Sequence, residues 1–419
     1  MISLENPTRR KFFTQGGNLL GGLALGSLLN RPALSSAAGA GPASDGGIPL
    51  QFPAKAKRII YLHMVGGPPQ MDLFDYKPEM KKWYNKDLPE SVINGQRLTG
   101  MTSNQARFPI APSVYNFAQR GESGMWMNSD LLPWMGKCAD DICLVRSMHT
   151  EAINHEPAIT AMQTGNQVAG GPCLGSWASY GLGAANENLP AFVVLVARNI
   201  LRYQIQAISG KLWSSGYLPG KHAGVSFRNS GDPILYINNP AGVSSSLRRK
   251  MLDGLKEMNE FQLNQTPDPD TVTRIQQYEM AFRMQSSVPN LVDLKDEKES
   301  TFSLYGEEAR ESGTFANTLL MSRRLIEKGV RFVQVYKNCW DTHADVTGRL
   351  PNLCKEMDQP CYALIQDLKQ RGLLDDTLVI WGGEFGRTIY SQGGLTATNY
   401  GRDHHPRCFT VWLAGGGIK

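Results

Sequence analysis

The sequence predicts a large α/β domain built on a mostly parallel β-sheet with helices on both faces. Two observations predict it. Short runs that are apolar throughout, with no polar face to offer solvent, alternate with helical patterns that end at glycine. Carboxylates and imidazoles gather in the loops after those runs, where open parallel sheets collect their ligands.

The first run, Arg58 to Val65, stops at Gly66-Gly67-Pro68-Pro69. Comparable runs follow at Ile142 to Val145, Ala191 to Val196, Val330 to Tyr336, Thr377 to Trp381 and Phe409 to Leu413. Helical patterns span Ser244 to Asn264, Asp270 to Gln285, Thr314 to Lys328 before Gly329, and Leu353 to Arg371 before Gly372. Arg198 to Asn239 is rich in Gly, Ser and aromatics and lacks a sustained period, so it reads as an irregular excursion or cap. The last run ends in Ala414-Gly415-Gly416-Gly417 without the helix expected next, which reads as truncation at the C-terminus.

With 419 residues, 41% hydrophobic and 19% charged, the chain can bury a sizeable core. The formal net charge is +5, and Arg9, Arg10, Lys11 and Arg31 against Glu5 place three of those charges in the first forty residues. The weak remainder gives the body no electrostatic reason to bind nucleic acid or a membrane surface.

Thr8-Arg9-Arg10-Lys11-Phe12-Phe13, a glycine-rich apolar stretch from Gly16 to Leu29 and the small residues Ala37-Ala38-Gly39-Ala40 have the order of a twin-arginine signal over residues 1–40, with cleavage after Ala40 and a linker over 41–56. That signal implies the twin-arginine export machinery as a partner and a periplasmic or extracellular destination. The apolar stretch falls short of the roughly twenty residues of a membrane span, so no stable span is expected after its removal; an uncleaved anchor is the competing reading. The route carries folded proteins and favours uptake of a metal before export. Seven cysteines leave at least one unpaired. An oxidising destination permits Cys138 with Cys143 or Cys354 with Cys361, and buried free thiols are the alternative.

Five of the seven histidines, His149, His155, His343, His404 and His405, fall in or beside loops at the strand ends, together with Asp341 and Glu384. Each alone is more often a hydrogen-bonded structural residue. Together they point to a metal or anion site, since imidazole with carboxylate suits zinc and similar cations.

The blocks Gly66-Gly67-Pro68, Asn154-His155-Glu156-Pro157-Ala158, Gln163-Thr164-Gly165, Trp340-Asp341-Thr342-His343, Gly383-Glu384-Phe385-Gly386-Arg387-Thr388 and Gly401-Arg402-Asp403-His404-His405-Pro406 resemble the bacterial domain-of-unknown-function 1501 family. That family is similar in fold to the alkaline phosphatase and arylsulfatase superfamily, and the likeness runs from about Lys57 to Lys419. It implies an alkaline-phosphatase-like fold, a divalent metal (zinc or calcium) and activity on phosphate or sulfate esters. The implied ligands are Asp341, His343, Glu384 and His404 or His405. Arg387 would either fork onto a bound anion or pair with a carboxylate such as Glu384. The chain also departs from the superfamily: Val65 and then Pro68-Pro69 stand where a ligand Asp and a Ser, Thr or Cys nucleophile belong, and Phe385 stands where a second ligand His belongs.

Three readings remain open. In the first, a hydrolase uses metal-activated water with His155 or His149 as general base. In the second, an inactive scaffold binds sulfated or phosphorylated carbohydrate through Lys211, Trp213, Tyr217, Lys221 and His222 of the Tyr203 to Phe227 stretch. In the third, the histidines are structural.

Overall fold

Among the described residues eleven strands form in chain order: β1 Arg58–Met64, β2 Phe117–Arg120, β3 Met125–Asn128, β4 Ile142–Met148, β5 Phe192–Val196, β6 Val225–Phe227, β7 Phe332–Lys337, β8 Thr377–Gly382, β9 Gly386–Gln392, β10 Gly401–His405 and β11 Phe409–Ala414. Seven of them make one sheet in the order β4-β11-β8-β1-β7-β5-β6. Within it β8, β1, β7, β5 and β6 pair parallel, and β11 runs antiparallel between β8 and β4. The computed structural model describes residues 53–93, 95, 98–199, 204–228, 232–234 and 237–418. The twin-arginine signal, nearly all of the linker, and Tyr203 lie outside them.

All six apolar runs became strands of the central sheet, as their uniform hydrophobicity requires. Alternate residues of β1 face opposite layers. Ile60, Leu62 and Met64 share one core cluster with Leu320, Ile326, Leu364 and Leu368, while Tyr61 and Val65 share another with Phe192, Phe332 and Ile159. The first layer is supplied by α6 (Phe315–Glu327) and α7 (Val346–Gln370), the second by α1 (His155–Thr164) and α2 (Leu174–Leu182). Each large apolar side chain taken out of water contributes roughly 1.5–3 kcal/mol, which makes this double covering the main stabilising term.

The remaining helices of two turns or more are α3 (Ser245–Gln265), α4 (Pro269–Val292) and α5 (Glu299–Tyr305). Side-chain caps start three of the helices: Ser244 accepts from the Leu247 amide, Asp268 from Asp270, and Thr314 from Asn317. Helix α7 begins at Val346, seven residues before the expected start. Pro351 lies within it, and a helical proline strips the carbonyl four residues earlier of its donor. That carbonyl, Thr347 O, accepts instead from the Tyr115 hydroxyl at 3.3 Å, so the helix continues.

The excursion over 198–239 is more than a cap, because β6 within it extends the sheet beside β5. Cys138, Cys143, Cys354 and Cys361 are free thiols. Cys354 and Cys361 lie about two turns apart on one helix, roughly 10 Å in rise, beyond disulfide reach. Among the described residues no helix is long and apolar enough to cross a membrane.

Lys337, the last residue of β7, is buried, and its ammonium lies 2.5 Å from the equally buried Glu356 of α7. Lys337→Met keeps the volume but strands the carboxylate. It should cost about 3–5 kcal/mol in urea denaturation, and a loss below about 1 kcal/mol would show that the pair is dispensable.

Candidate metal centre

The turn after β1 is where the site begins. Gly66 and Gly67 have φ of +119° and +73°, in the region that favours glycine. A Cβ on Gly66 would stand 2.3 Å from the Asp341 amide nitrogen, and one on Gly67 2.7 Å from the Phe385 ring. With no side chain to hold them off, the ends of β1, β7 and β8 close onto one another. The Gly66 amide donates to Glu384 Oε1 at 2.8 Å, and the carbonyls of Gly66 and Gly67 accept from the Arg387 guanidinium.

Asp341 occupies the centre of this convergence. Arg387 Nη2 donates to its Oδ1 at 2.6 Å and Gln206 Nε2 to its Oδ2 at 3.0 Å. Three imidazoles converge on the same carboxylate: His343 Nε2 at 2.9 Å, His155 Nε2 at 3.2 Å and His404 Nε2 at 3.6 Å. One ligand atom from each of Asp341, His155, His343 and His404 lies within 4.8 Å of all the others.

The far side of each ring explains the near side. His155 Nδ1 is 2.6 Å from Glu384 Oε1, His343 Nδ1 is 2.6 Å from Gln392 Oε1, and His404 Nδ1 is 2.7 Å from the Ile153 carbonyl. All three partners are acceptors, which assigns a proton to each Nδ1 and leaves the Nε2 lone pairs turned toward Asp341. None of these three buried Nε2 atoms has a hydrogen-bond partner. Lone pairs and a carboxylate facing one another without protons repel, and a cation among them removes the repulsion. The residues therefore fit a divalent metal, with a carboxylate behind one imidazole in the manner of metal-ligating histidines.

Burial raises the Asp341 carboxyl, but in the absence of a cation any proton taken onto the facing imidazole Nε2 atoms, together with Arg387, outweighs it and holds the group far below the usual range. Burial lowers His155, and Asp341 with Glu384 more than reverse this, so without a cation His155 is the ring that takes an extra proton. His404 is pushed down to about 4, chiefly by burial against the pull of Asp341, with Arg387 and the neighbouring rings adding to the fall.

The sequence-predicted residues separate clearly in space. Asp341, His343, His404 and His155 come together, and Glu384 stands behind His155 rather than among the grouped ligand atoms. His405 follows His404 on β10, where successive side chains take opposite faces, and lies outside the group. His149 is exposed beyond β4 and also lies outside it. Arg387 is fully buried with every guanidinium nitrogen engaged, its carboxylate partner being Asp341. Phe385 packs its ring 5.0 Å from that of His155 and 4.3 Å from that of His404.

Three contributors carried too little signal in the sequence. His63 is fully buried on β1, with Nε2 3.6 Å from Glu384 Oε2, and neither of those two atoms has a hydrogen-bond partner. Burial lowers His63 to about 4 against the pull of Glu384. An imidazole inside an otherwise apolar strand was the available clue. Gln206 and Gln392 are neutral amides in irregular segments and offered none.

Of the carbohydrate-facing set, Trp213 packs toward the sheet, 6.0 Å from Tyr336, and Lys211 pairs with Glu156. His222 Nδ1 is 3.0 Å from Ser179 Oγ, and Tyr217 stands exposed beside Trp177. Lys221 lines a cavity of about 700 Å³ with His222, Lys256 and Arg283.

No curated protein matches this chain significantly. Among solved structures it is similar to a histidine-to-glutamate mutant of TAB5 alkaline phosphatase with Mg bound in its M3 site, at 10% identity and a TM-score of 0.33, covering 86% of this chain and 92% of that one. It is similar also to the alkaline phosphatase of the Antarctic bacterium TAB5, at 12% identity and a TM-score of 0.31 over the same shares. The family model described as "Protein of unknown function (DUF1501)" matches residues 56–419, so it takes in the sheet, its helices and every residue of the centre, and the chain belongs to that family.

Proposed function

We propose that this protein is a metal-dependent hydrolase acting on phosphate or sulfate esters, with one divalent cation held by Asp341, His155, His343 and His404. The observation that carries the proposal is the set of three buried, unpartnered Nε2 atoms aimed at one buried carboxylate. Three imidazole nitrogens and one carboxylate suit zinc or a similar borderline cation. Calcium takes six to eight oxygens, so the donor set argues against it. When bound, the metal supplies Lewis-acid polarisation of an ester oxygen.

The chain's own residues do the rest. Glu384, Gln392 and the Ile153 carbonyl fix the tautomer and orientation of the three rings. Arg387 holds the Asp341 carboxylate in place and neutralises part of its charge. Pro68 and Pro69 provide no nucleophile beside the centre, so solvent water is the attacking species these residues allow. Glu384 Oε2 and His63 Nε2, unpartnered and 3.6 Å apart, can hold a proton between them. A cavity of about 310 Å³ borders His404 alone of the four ligand residues, with Leu88 and Ile389 in its wall and Lys77, Arg407 and Glu151 among its lining, and would take the organic part of an ester. Export through the twin-arginine route to a periplasmic or extracellular site belongs to the same proposal.

A second reading has one observation in its favour. Trp177, Tyr180 and Tyr217 are exposed, with the Trp177 ring 6.2 Å from that of Tyr180 and 6.0 Å from that of Tyr217, a surface on which sulfated or phosphorylated carbohydrate could stack without turnover. Tyr217→Ala would weaken retention on a sulfated polysaccharide under that reading and leave it unchanged under the first.

Metal analysis of the folded protein should give about one equivalent of zinc or a related cation, and aryl phosphates or sulfates should be cleaved. His343→Ala should lower affinity at least about a hundredfold and abolish turnover; substoichiometric metal after incubation with Zn²⁺ would sink the proposal. Glu384→Gln should weaken the metal by about 10–100-fold while leaving the ligand atoms in place. Because His155 is raised and must lose its extra proton to bind, affinity should fall as pH drops through its raised pKa. Calorimetry in two buffers of different ionisation enthalpy should show proton release on binding.

A further inference from the structure

Helix α3 is amphipathic in the unexpected sense. Its inward face offers Leu252, which is buried, and the half-buried Leu263, and it is tied to α4 by Arg249, whose guanidinium bonds both carboxylate oxygens of Glu279 at 2.9 and 2.6 Å. Leu247, Met251, Leu255, Met258 and Phe261 face outward instead, each between 42% and 70% exposed. The steps between them are four, four, three and three residues, an average of 3.5, which is the spacing of a coiled-coil seam. A contiguous apolar stripe of that length on an exposed helix marks an interaction surface.

The charges beside the stripe name its partner. At 100° per residue, Lys250 and Glu257 fall on the same flank of the stripe and lie almost symmetrically about Gly254, which sits within it. When two antiparallel copies of such a helix cross at Gly254, Lys250 of one copy stands opposite Glu257 of the other, twice over, and Leu247 opposes Phe261. Gly254 itself has no use inside the chain: a Cβ there would meet nothing within 4 Å, although glycine weakens a helix interior. At a crossing point its lack of a side chain brings the two backbones close. A membrane-binding helix would carry cations along its polar edges. Here Arg248, Arg249 and Lys250 against Asp253 leave the half before Gly254 net positive, and Glu257 and Glu260 against Lys256 leave the half after it net negative, a pattern complementary to its own reverse.

We infer that the outward stripe of α3 is the interface of a two-fold symmetric homodimer in which the α3 helices pack antiparallel about Gly254. The interface is isologous, so each contact occurs twice.

Sedimentation velocity on the folded protein at micromolar concentration should show a dimer. Met258→Glu combined with Phe261→Glu should give a monomer with unchanged circular dichroism. Lys250→Glu and Glu257→Lys should each weaken dimerisation at least about tenfold by opposing like charges, and the two together should restore it. A wild-type monomer, a dimer that survives the double glutamate variant, or a double charge-swap variant no better than either single one would overturn the inference. So would a monomer that floats with phosphatidylserine-containing vesicles, which would assign the stripe to a lipid surface.

Discussion

The pairing of Asp341 with Arg387 inside the glycine turn is the constraint from which the rest of the centre follows. A buried carboxylate is costly unless charge and hydrogen bonds surround it, and a buried guanidinium imposes the same demand. Each meets the other's need at 2.6 Å, and Arg387 completes its bonding on the carbonyls of Gly66, Gly67 and Arg402. Those carbonyls are within reach because the turn carries no side chains, so two glycines after β1 decide where a carboxylate after β7 can sit.

Around that fixed carboxylate the imidazoles divide their two nitrogens between different tasks. Each Nδ1 is committed to an acceptor supplied by a separate segment: Glu384 after β8, Gln392 at the end of β9, and the Ile153 carbonyl before α1. The result is three oriented lone pairs in a largely buried space. Phe385 packs its ring against His155 and His404 and so helps to fix both. Under the proposed function the centre would hold one cation, and the acidic residue of the most specific motif would act through His155.

Helix α3 follows different physics. It spends few apolar residues on its own domain, and its charge order is complementary to itself when reversed. Among the described residues nothing covers this surface, and the inferred pairing across a symmetry axis would.

Much of the fold was legible because a strand buried on both faces must be apolar throughout, and six such runs became strands of the sheet. The start of α7 was not legible: Pro351 reads as a breaker, and the hydroxyl that rescues its orphaned carbonyl belongs to Tyr115, far away in the chain. For the centre, the sequence by itself determined the chemistry available, namely acids and imidazoles concentrated at the carboxyl ends of strands. Only the tertiary structure decided that His404 rather than His405 faces Asp341, that Glu384 stands behind His155, and that His63, Gln206 and Gln392 take part. The reason is that residue type sets what a side chain can donate or bind, whereas strand alternation and the closing of a turn onto a distant segment set what it meets.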